Sequence, residues 1–425
     1  IADEWATCKG VTVISVALDP ELQRLLSGTP DGVVRLAGDL RSPGFRKHAE
    51  LKQPFDMVVL DATAPGGTLT NRYLTREFFI RLAGMLRPDG VVVISLPSLV
   101  NYESGQYGRL SSVLIRTLQG VFPHMAFAAG IPHHVFACRK AGVVTESPAI
   151  VEARLQDRMA DWKRVSRYLE MDLDPGRLQA IWKATEGVDE PVNRDDRPIL
   201  ALAYATLSGW YSGTVVLGLL EVLERLPFLW VVLPLLLIAV RFAGRDRVGP
   251  VWLATAGLGF TAMAVEMVLI YMFQLTAGSV YREIALLSGC FILGLPLGAT
   301  FMRRIGMHVS SPVLVPVLAG IFLEALLLFL WILNGVSAWV LYPFNILMGM
   351  VVGAMFPAAV SCLDDAVRDP AVNAGVIDAA DHFGAGLGAL LAGSLGILTL
   401  GVSGTLLLCL AILGAAAVSL VLSRH

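Results

Sequence analysis

Three aspartates stand where the chain leaves short apolar runs. Asp19 follows VTVISVAL (residues 11–18), Asp39 follows VVRL (33–36) and a glycine, and Asp61 follows FDMVVL (55–60). A carboxylate at such a strand end accepts hydrogen bonds from paired hydroxyls or from an exocyclic amine, the groups a nucleoside presents. A single Asp there would serve a turn or a cap equally well, but three in register point to a nucleoside site or its ancestry. A second set lies in strongly apolar sequence: Glu266, Gln274, Glu324, Asp378, Asp381 and His382. Such groups are costly in hydrocarbon and mark function by default. Glu266, Glu324 and Asp381 could carry protons or cations, or they could be neutral or paired groups that join helices. His382 could bind a cofactor, although no second ligand stands near it. His133-His134 lacks an acidic or cysteine partner at metal-ligand spacing and reads as a loop or edge position. The cysteines (Cys8, Cys138, Cys290, Cys362, Cys409) are far apart, form no CxxC and read as small buried apolar residues, so no metal site is expected.

The elements that must hold these residues differ between the two halves of the chain. The 425 residues are 55% hydrophobic and only 16% charged, with a mean hydropathy of +0.65 and a net charge of −2. Soluble proteins carry about 25% charged residues. The composition therefore excludes a purely soluble enzyme, a disordered chain and a disulfide scaffold, and it indicates no nucleic-acid partner. Of 33 Lys+Arg and 35 Asp+Glu, only 9 and 11 fall in residues 199–425, and every lysine precedes them. A soluble half (1–198) is followed by a membrane half.

In the soluble half, the runs 11–18, 33–36, 55–60 and 91–96 read as buried parallel strands. Helical patterns at 75–87, capped by Thr75 with Glu77 in the first turn, and at 105–121 alternate with them. The expectation is an α/β, doubly wound sheet. The stretch 149–170 reads as a solvated helix face.

In the membrane half, about seven spans are expected near 226–243, 251–275, 282–302, 312–333, 337–362, 376–398 and 402–422. The segment 199–220 is a spanning or an interfacial linker helix. Gly384, Gly388, Ala389 and Gly393 offer close helix packing. Arg241, Arg245, Arg247, Arg303, Arg304, Arg368 and Arg424 fall on one side of this arrangement, against Arg225 and Arg282 on the other. That bias places the C terminus in the cytoplasm of a bacterial-type inner membrane. The soluble half is cytoplasmic if 199–220 spans and extracytoplasmic if it does not.

FDMVVLDATAPGGTLTNRYLTREFF, LRPDGVVVISLP and the following NY resemble the aminopropyltransferase (spermidine synthase-like) family, in the branch fused to a polytopic membrane domain. VTVISVALDPEL and VVRLAGDLR are similar to that family's second and third strands, and PVNRDDRPILALAY to the exit from its soluble domain. TAMAVEMVLIYMFQLTAGSVYREIALLSGCFILGLPLGA is similar to a membrane repeat unit of the same branch. The resemblance implies a Rossmann-like, methyltransferase/aminopropyltransferase-type domain followed by an all-α membrane domain. It implies an adenosyl donor, decarboxylated S-adenosylmethionine, with an amine acceptor.

Three departures affect that chemistry. IADEWATCKG contains no Gly-rich nucleoside loop, which either lies upstream or is lost. In the membrane-fused branch a related membrane unit often precedes the soluble domain; together with the initial Ile, these gaps suggest that the sequence begins inside a longer protein. Ala17 stands where the family grips the ribose with an acid, and Ala64 stands where it places its base. A general base contributes about 10²–10⁴-fold. The expectation is a retired active site whose vestiges are Asp19, Asp39 and Asp61, in a structural or accessory subunit among other membrane proteins and lipid. Two alternatives remain open: a membrane-bound transferase with altered chemistry, using a nucleoside donor, and a transporter with a soluble sensor domain.

Overall fold

The computed structural model describes residues 10–19, 21, 33–61, 67–96, 106–130, 132–157, 169–185, 191–212, 215–235, 248–278, 281–305, 311–333, 336–363 and 369–422. The chain divides into two compact units, Ile1–Gly218 and Leu219–His425.

In the first unit, β1 (Val13–Ala17) and β2 (Val33–Ala37) form a parallel pair, with Val13 opposite Val33 and Ala17 opposite Ala37. A separate four-stranded sheet has the order β3 (Phe55–Leu60), β4 (Leu86–Leu96), β6 (His133–Cys138), β5 (His124–Ala128). β3 runs parallel to β4, whereas β6 is antiparallel to both β4 and β5. This corrects the expectation of one doubly wound parallel sheet: the described residues form two sheets, and the larger is mixed. The connection from β5 to β6 is the physical reason. Only residues 129–132 join them, and a parallel crossover needs a dozen residues or more.

The helices of this unit are α1 (Thr68–Asn71), α2 (Arg76–Ala83), α3 (Gln106–Gln119), α4 (Pro148–Gln156), α5 (Pro175–Thr185) and α6 (Ile199–Ser212). Thr75 caps α2 by accepting from the Phe78 N–H, and Glu77 lies in the first turn, as the sequence predicts. α3 presents Leu110, Leu114 and Leu118 at four-residue spacing, and all three are buried with Phe79 and Leu82 of α2, Ile94 of β4 and Val135 of β6. Burying each such side chain contributes about 1.5–3 kcal/mol. Ile199, Leu200 and Ala203 complete the same core, so α6 begins inside the first unit. α7 (Val215–Arg225) runs across the boundary between the units.

Five helices of the second unit are long and apolar enough to cross a membrane, which marks the chain as a membrane protein. They are α8 (Val248–Thr276), α9 (Tyr281–Ile305), α10 (Leu314–Ile332), α11 (Ala338–Leu363) and α13 (Ile397–Leu422). Two of the seven expected spans fare differently. Of 226–243, only 226–235 is described. The segment 376–398 is occupied by α12 (Pro370–Gly388), which continues as a π-helix over Ala389–Gly396. Asn373, Asp378, Asp381 and His382 make α12 too polar to count with the five. The predicted break between the last two segments falls at Gly401, whose φ of 74° interrupts the helix at the start of α13.

Small residues set the tightest contacts. Gly294 and Gly298 of α9 lie against the Ile346 and Met350 carbonyls of α11, while Gly349 and Gly353 of α11 lie against the Phe291 and Leu295 carbonyls of α9. Gly384 and Gly388 of α12 meet the Ala256 and Phe260 carbonyls of α8 in the same way. A Cβ at any of these glycines would overlap backbone, which cannot yield as a flexible side chain does. Gly298→Ala is therefore expected to lower the thermal unfolding midpoint in detergent, costing about 1–3 kcal/mol. Gly289→Ala on the same helix, whose added methyl meets open space, should stay within about 0.5 kcal/mol. Equal effects from the two changes would refute backbone contact as the constraint.

Candidate functional site

The strand-end aspartates do not share one environment. Asp19 and Asp39 follow the same ends of the paired strands β1 and β2. Asp19 is exposed, and its Oδ1 accepts from the Glu21 N–H at 2.8 Å. Asp61 is exposed just beyond β3. Asp39 is buried, at 4% exposure, and is already occupied. Its Oδ2 pairs with the Arg72 Nη2 at 2.7 Å, and its Oδ1 accepts from the Tyr73 hydroxyl at 2.7 Å and from the Arg41 N–H at 2.8 Å. Burial pushes the Tyr73 phenol well above the usual tyrosine range; Arg72 opposes that shift and the Asp39 carboxylate adds to it. Ala17, at the end of β1, offers no acceptor beyond its backbone carbonyl, which takes the Gly38 N–H at 2.8 Å. Ala64 and the expected place of the Gly-rich loop (before residue 11) lie outside the described residues, apart from Gly10.

Asp39 opens a network that extends across the first unit. Arg41 is fully buried and pairs with both oxygens of Asp195, Nη1 to Oδ2 at 2.9 Å and Nη2 to Oδ1 at 2.8 Å. Its Nη2 also donates to the Thr75 hydroxyl at 2.7 Å and to the Arg72 carbonyl. Thr75 donates to Asp195 Oδ1 at 2.6 Å, and the Asp195 N–H donates to Glu77 Oε2 at 2.9 Å. Beside them, the buried Asn193 donates from Nδ2 to Asn71 Oδ1 at 3.1 Å and to the Leu74 carbonyl at 2.9 Å, while its Oδ1 accepts from the Leu200 N–H. The Ala201 N–H donates to Asn71 Oδ1. The stretch VNRDDRP thus staples the start of α6 onto α1, α2 and the end of β2. Sequence reasoning quoted that stretch without assigning it a role, because the partners lie more than a hundred residues away.

The paired histidines also have structural partners. Both lie inside β6, an interior strand, which corrects their reading as loop or edge residues. His133 Nδ1 lies 2.8 Å from the Gly130 carbonyl, and His134 Nδ1 lies 3.2 Å from the Ser95 hydroxyl on the facing strand. No group of three or more His, Cys, Asp or Glu placed to hold a metal occurs among the described residues.

In the second unit, Glu266 of α8 is buried and joins three helices. Its Oε1 accepts from the Ser288 hydroxyl of α9 at 2.7 Å, and its Oε2 from the Asn345 Nδ2 of α11 at 2.7 Å. Asn345 Nδ2 donates also to the Leu287 carbonyl at 2.8 Å. Ser288 and Asn345 were not singled out from the sequence, although each is a polar residue inside an apolar run. Gln274 is buried on α8. Glu324 of α10 is fully buried, and among the described residues neither carboxyl oxygen has a hydrogen-bond partner. Asp381 packs against Gly259 of α8, two turns before Glu266. Asp378 and His382 form an exposed i,i+4 pair at 3.5 Å on α12. Among the described residues, no hydrogen bond or ion pair connects any two of Glu266, Glu324 and Asp381.

No protein-family model matches this chain, nor does any curated protein sequence.

Two substitutions separate the bonded acid from the unbonded one. Asp39→Ala leaves Arg72 buried without its ion-pair partner and is expected to cost about 3–5 kcal/mol; a change below 1 kcal/mol in chemical unfolding would show that the pair does not hold the unit. Glu324→Leu removes an unpartnered buried group worth about 1–3 kcal/mol and is expected to raise the thermal midpoint in detergent. A lowered midpoint would instead assign that carboxyl a bonded role.

Proposed function

We propose that this chain is an integral membrane protein whose first unit is a non-catalytic, spermidine synthase-like module, serving as a structural or accessory subunit of a membrane complex. The observation that carries this reading is the occupation of Asp39. One of the three strand-end acids that the sequence offers for a nucleoside is buried and bonded to Arg72, Tyr73 and the Arg41 backbone. Releasing it to a ligand would take the Asp39 carboxylate from the buried Arg72 guanidinium, at a cost of about 3–5 kcal/mol.

Two sequence features agree with this. Alanine occupies both positions, 17 and 64, where the resemblance expects acids, and neither side chain can accept a hydrogen bond or a proton. The parallel pairs β1–β2 and β3–β4, with Asp19, Asp39 and Asp61 following their strands, support a Rossmann-like ancestry for the scaffold. We place the C terminus in the cytoplasm of a bacterial-type inner membrane on the arginine bias over seven spans, a count in which the polar α12 also crosses.

The test is calorimetric titration of the detergent-solubilised protein with methylthioadenosine and with decarboxylated S-adenosylmethionine. Neither ligand is expected to bind, and co-purifying membrane subunits are expected under mild solubilisation. Micromolar binding of either nucleoside would overturn the non-catalytic reading in favour of a transferase.

A further inference from the structure

We propose that Arg46 and Arg81 form a binding site on the first unit for a phosphate monoester group, the dianionic head of a water-soluble phosphate ester or of a lipid. The site is independent of the role read for Asp39, because neither nucleoside in that titration carries a phosphate.

Three arginines around the staple are each matched by an acid: Arg72 by Asp39 at 2.7 Å, Arg41 by Asp195 at 2.8 Å and Arg194 by Glu77 at 3.3 Å. Arg46 and Arg81 lie next to these pairs without an acid of their own. Among the described residues, neither guanidinium has a hydrogen-bond or ion-pair partner, and the Arg46 Nε is buried without one. A guanidinium offers five donors, and leaving them unbonded while partly out of water is destabilising. Two uncompensated positive charges fit an anion of charge near −2, which a phosphate monoester carries near neutral pH. A carboxylate brings only one.

The fold brings the two arginines together. Arg81 lies one turn after Glu77 on α2, and the Glu77 carboxylate accepts from the Asp195 N–H at 2.9 Å. Arg46 follows Arg41 by little more than one turn: its N–H donates to the Ser42 carbonyl at 3.2 Å, and Phe45 is buried against Gly38. The bonded pair of Arg41 and Asp195 ties these two segments at one place. Each charge is felt at the other. Burial pulls the Arg81 guanidinium below the usual arginine range, Arg41 and Arg46 pull it further, and Asp195 and Glu77 oppose them. Like charges held close repel, and an oxyanion lying between them converts that repulsion into attraction on both sides.

Both side chains are half-buried, so an anion reaches them from water and needs no closed cavity. Partial burial also strengthens the contact by lowering the local dielectric. The planar guanidinium fork matches two oxygens of a phosphate at once, which a point charge cannot do. The elements that carry the two arginines are fixed independently of any ligand. α2 is held by its Thr75 cap and by the buried Phe78, Phe79 and Leu82, and the turn before Arg46 by the buried Phe45.

The experiment titrates inorganic phosphate by calorimetry into the purified chain in detergent, with chloride holding the ionic strength constant. A parallel series adds phosphatidic acid or phosphatidylcholine to the micelles and follows the thermal unfolding midpoint. Saturable phosphate binding is expected, and Arg46→Gln and Arg81→Gln should each weaken it by roughly tenfold or more, the factor that corresponds to one lost charge-assisted hydrogen bond. Neither guanidinium is bonded to a described residue, so both variants are expected to unfold at or above the wild-type midpoint, and a lost signal then reports the site and not the fold. Arg81→Lys keeps the charge and loses the fork; it should bind more weakly than wild type, and it decides the question if a glutamine variant does not fold. A rise in midpoint with phosphatidic acid alone, absent from the variants, would support the site with a lipid head as its phosphate source. The proposal is overturned if neither phosphate nor phosphatidic acid acts beyond its control, or if the arginine variants respond as wild type does, which would leave an adventitious ion only.

Discussion

A guanidinium taken wholly out of water must be surrounded by acceptors, and the first unit is organised around two such groups. Arg41 is held by Asp195, Thr75 and a backbone carbonyl; Arg72 is held by Asp39 and by backbone around α1. These contacts connect the end of β2, the start of α2 and the segment leading into α6. Breaking one of them exposes no group to water. It leaves a buried charge uncompensated, which is why such pairs tolerate so little change even though their net stabilisation is modest. Asp39 is caught in this requirement. A carboxylate cannot both neutralise a buried arginine and stand open to an incoming ribose.

The membrane unit meets a similar constraint by different means. Hydrocarbon offers no hydrogen bonds, so polar groups among the helices must satisfy one another. Glu266, Ser288 and Asn345 bond to one another across three helices, with the Asn345 Oδ1 left over, whereas Glu324 bonds to none of the described residues. Between helices, attraction comes from contact and not from excluded water, so backbone approach at Gly294, Gly298, Gly349 and Gly353 carries much of the association of α9 with α11. The exposed side of α9 carries Ile292, Leu293 and Phe301 and is apolar.

Much of this was legible from local pattern. β3 spans residues 55–60 as read from FDMVVL, α3 lies within the expected 105–121, the Thr75 cap forms, and four of the apolar runs become long helices within a few residues of their expected ends. These features depend on neighbours in sequence. What escaped depends on distant ones. The antiparallel course of β6 is decided by which strand it meets, not by its own alternation. The role of Asp39 is decided by Arg72 and Tyr73, and the role of the VNRDDRP stretch by a loop more than a hundred residues earlier. The polarity of α12 was visible in its residues, but its apolar glycine-rich end obscured it. The Glu266 site could have been found by asking which other polar residues interrupt apolar runs.

The separation of Arg41 from Asp195, 154 residues apart along the chain, also bears on how the protein is made. Synthesis delivers the N-terminal residues first, so Arg41 stays in water and cannot be buried with its counter-ion until Asp195 has been made. Contacts between such distant residues form slowly because a large loop must close before anything is gained. The staple can close only when the ribosome has made the segment entering α6. Completion of the first unit therefore waits for the segment entering α6, and a chain interrupted before Asp195 lacks the counter-ion that the fold gives Arg41.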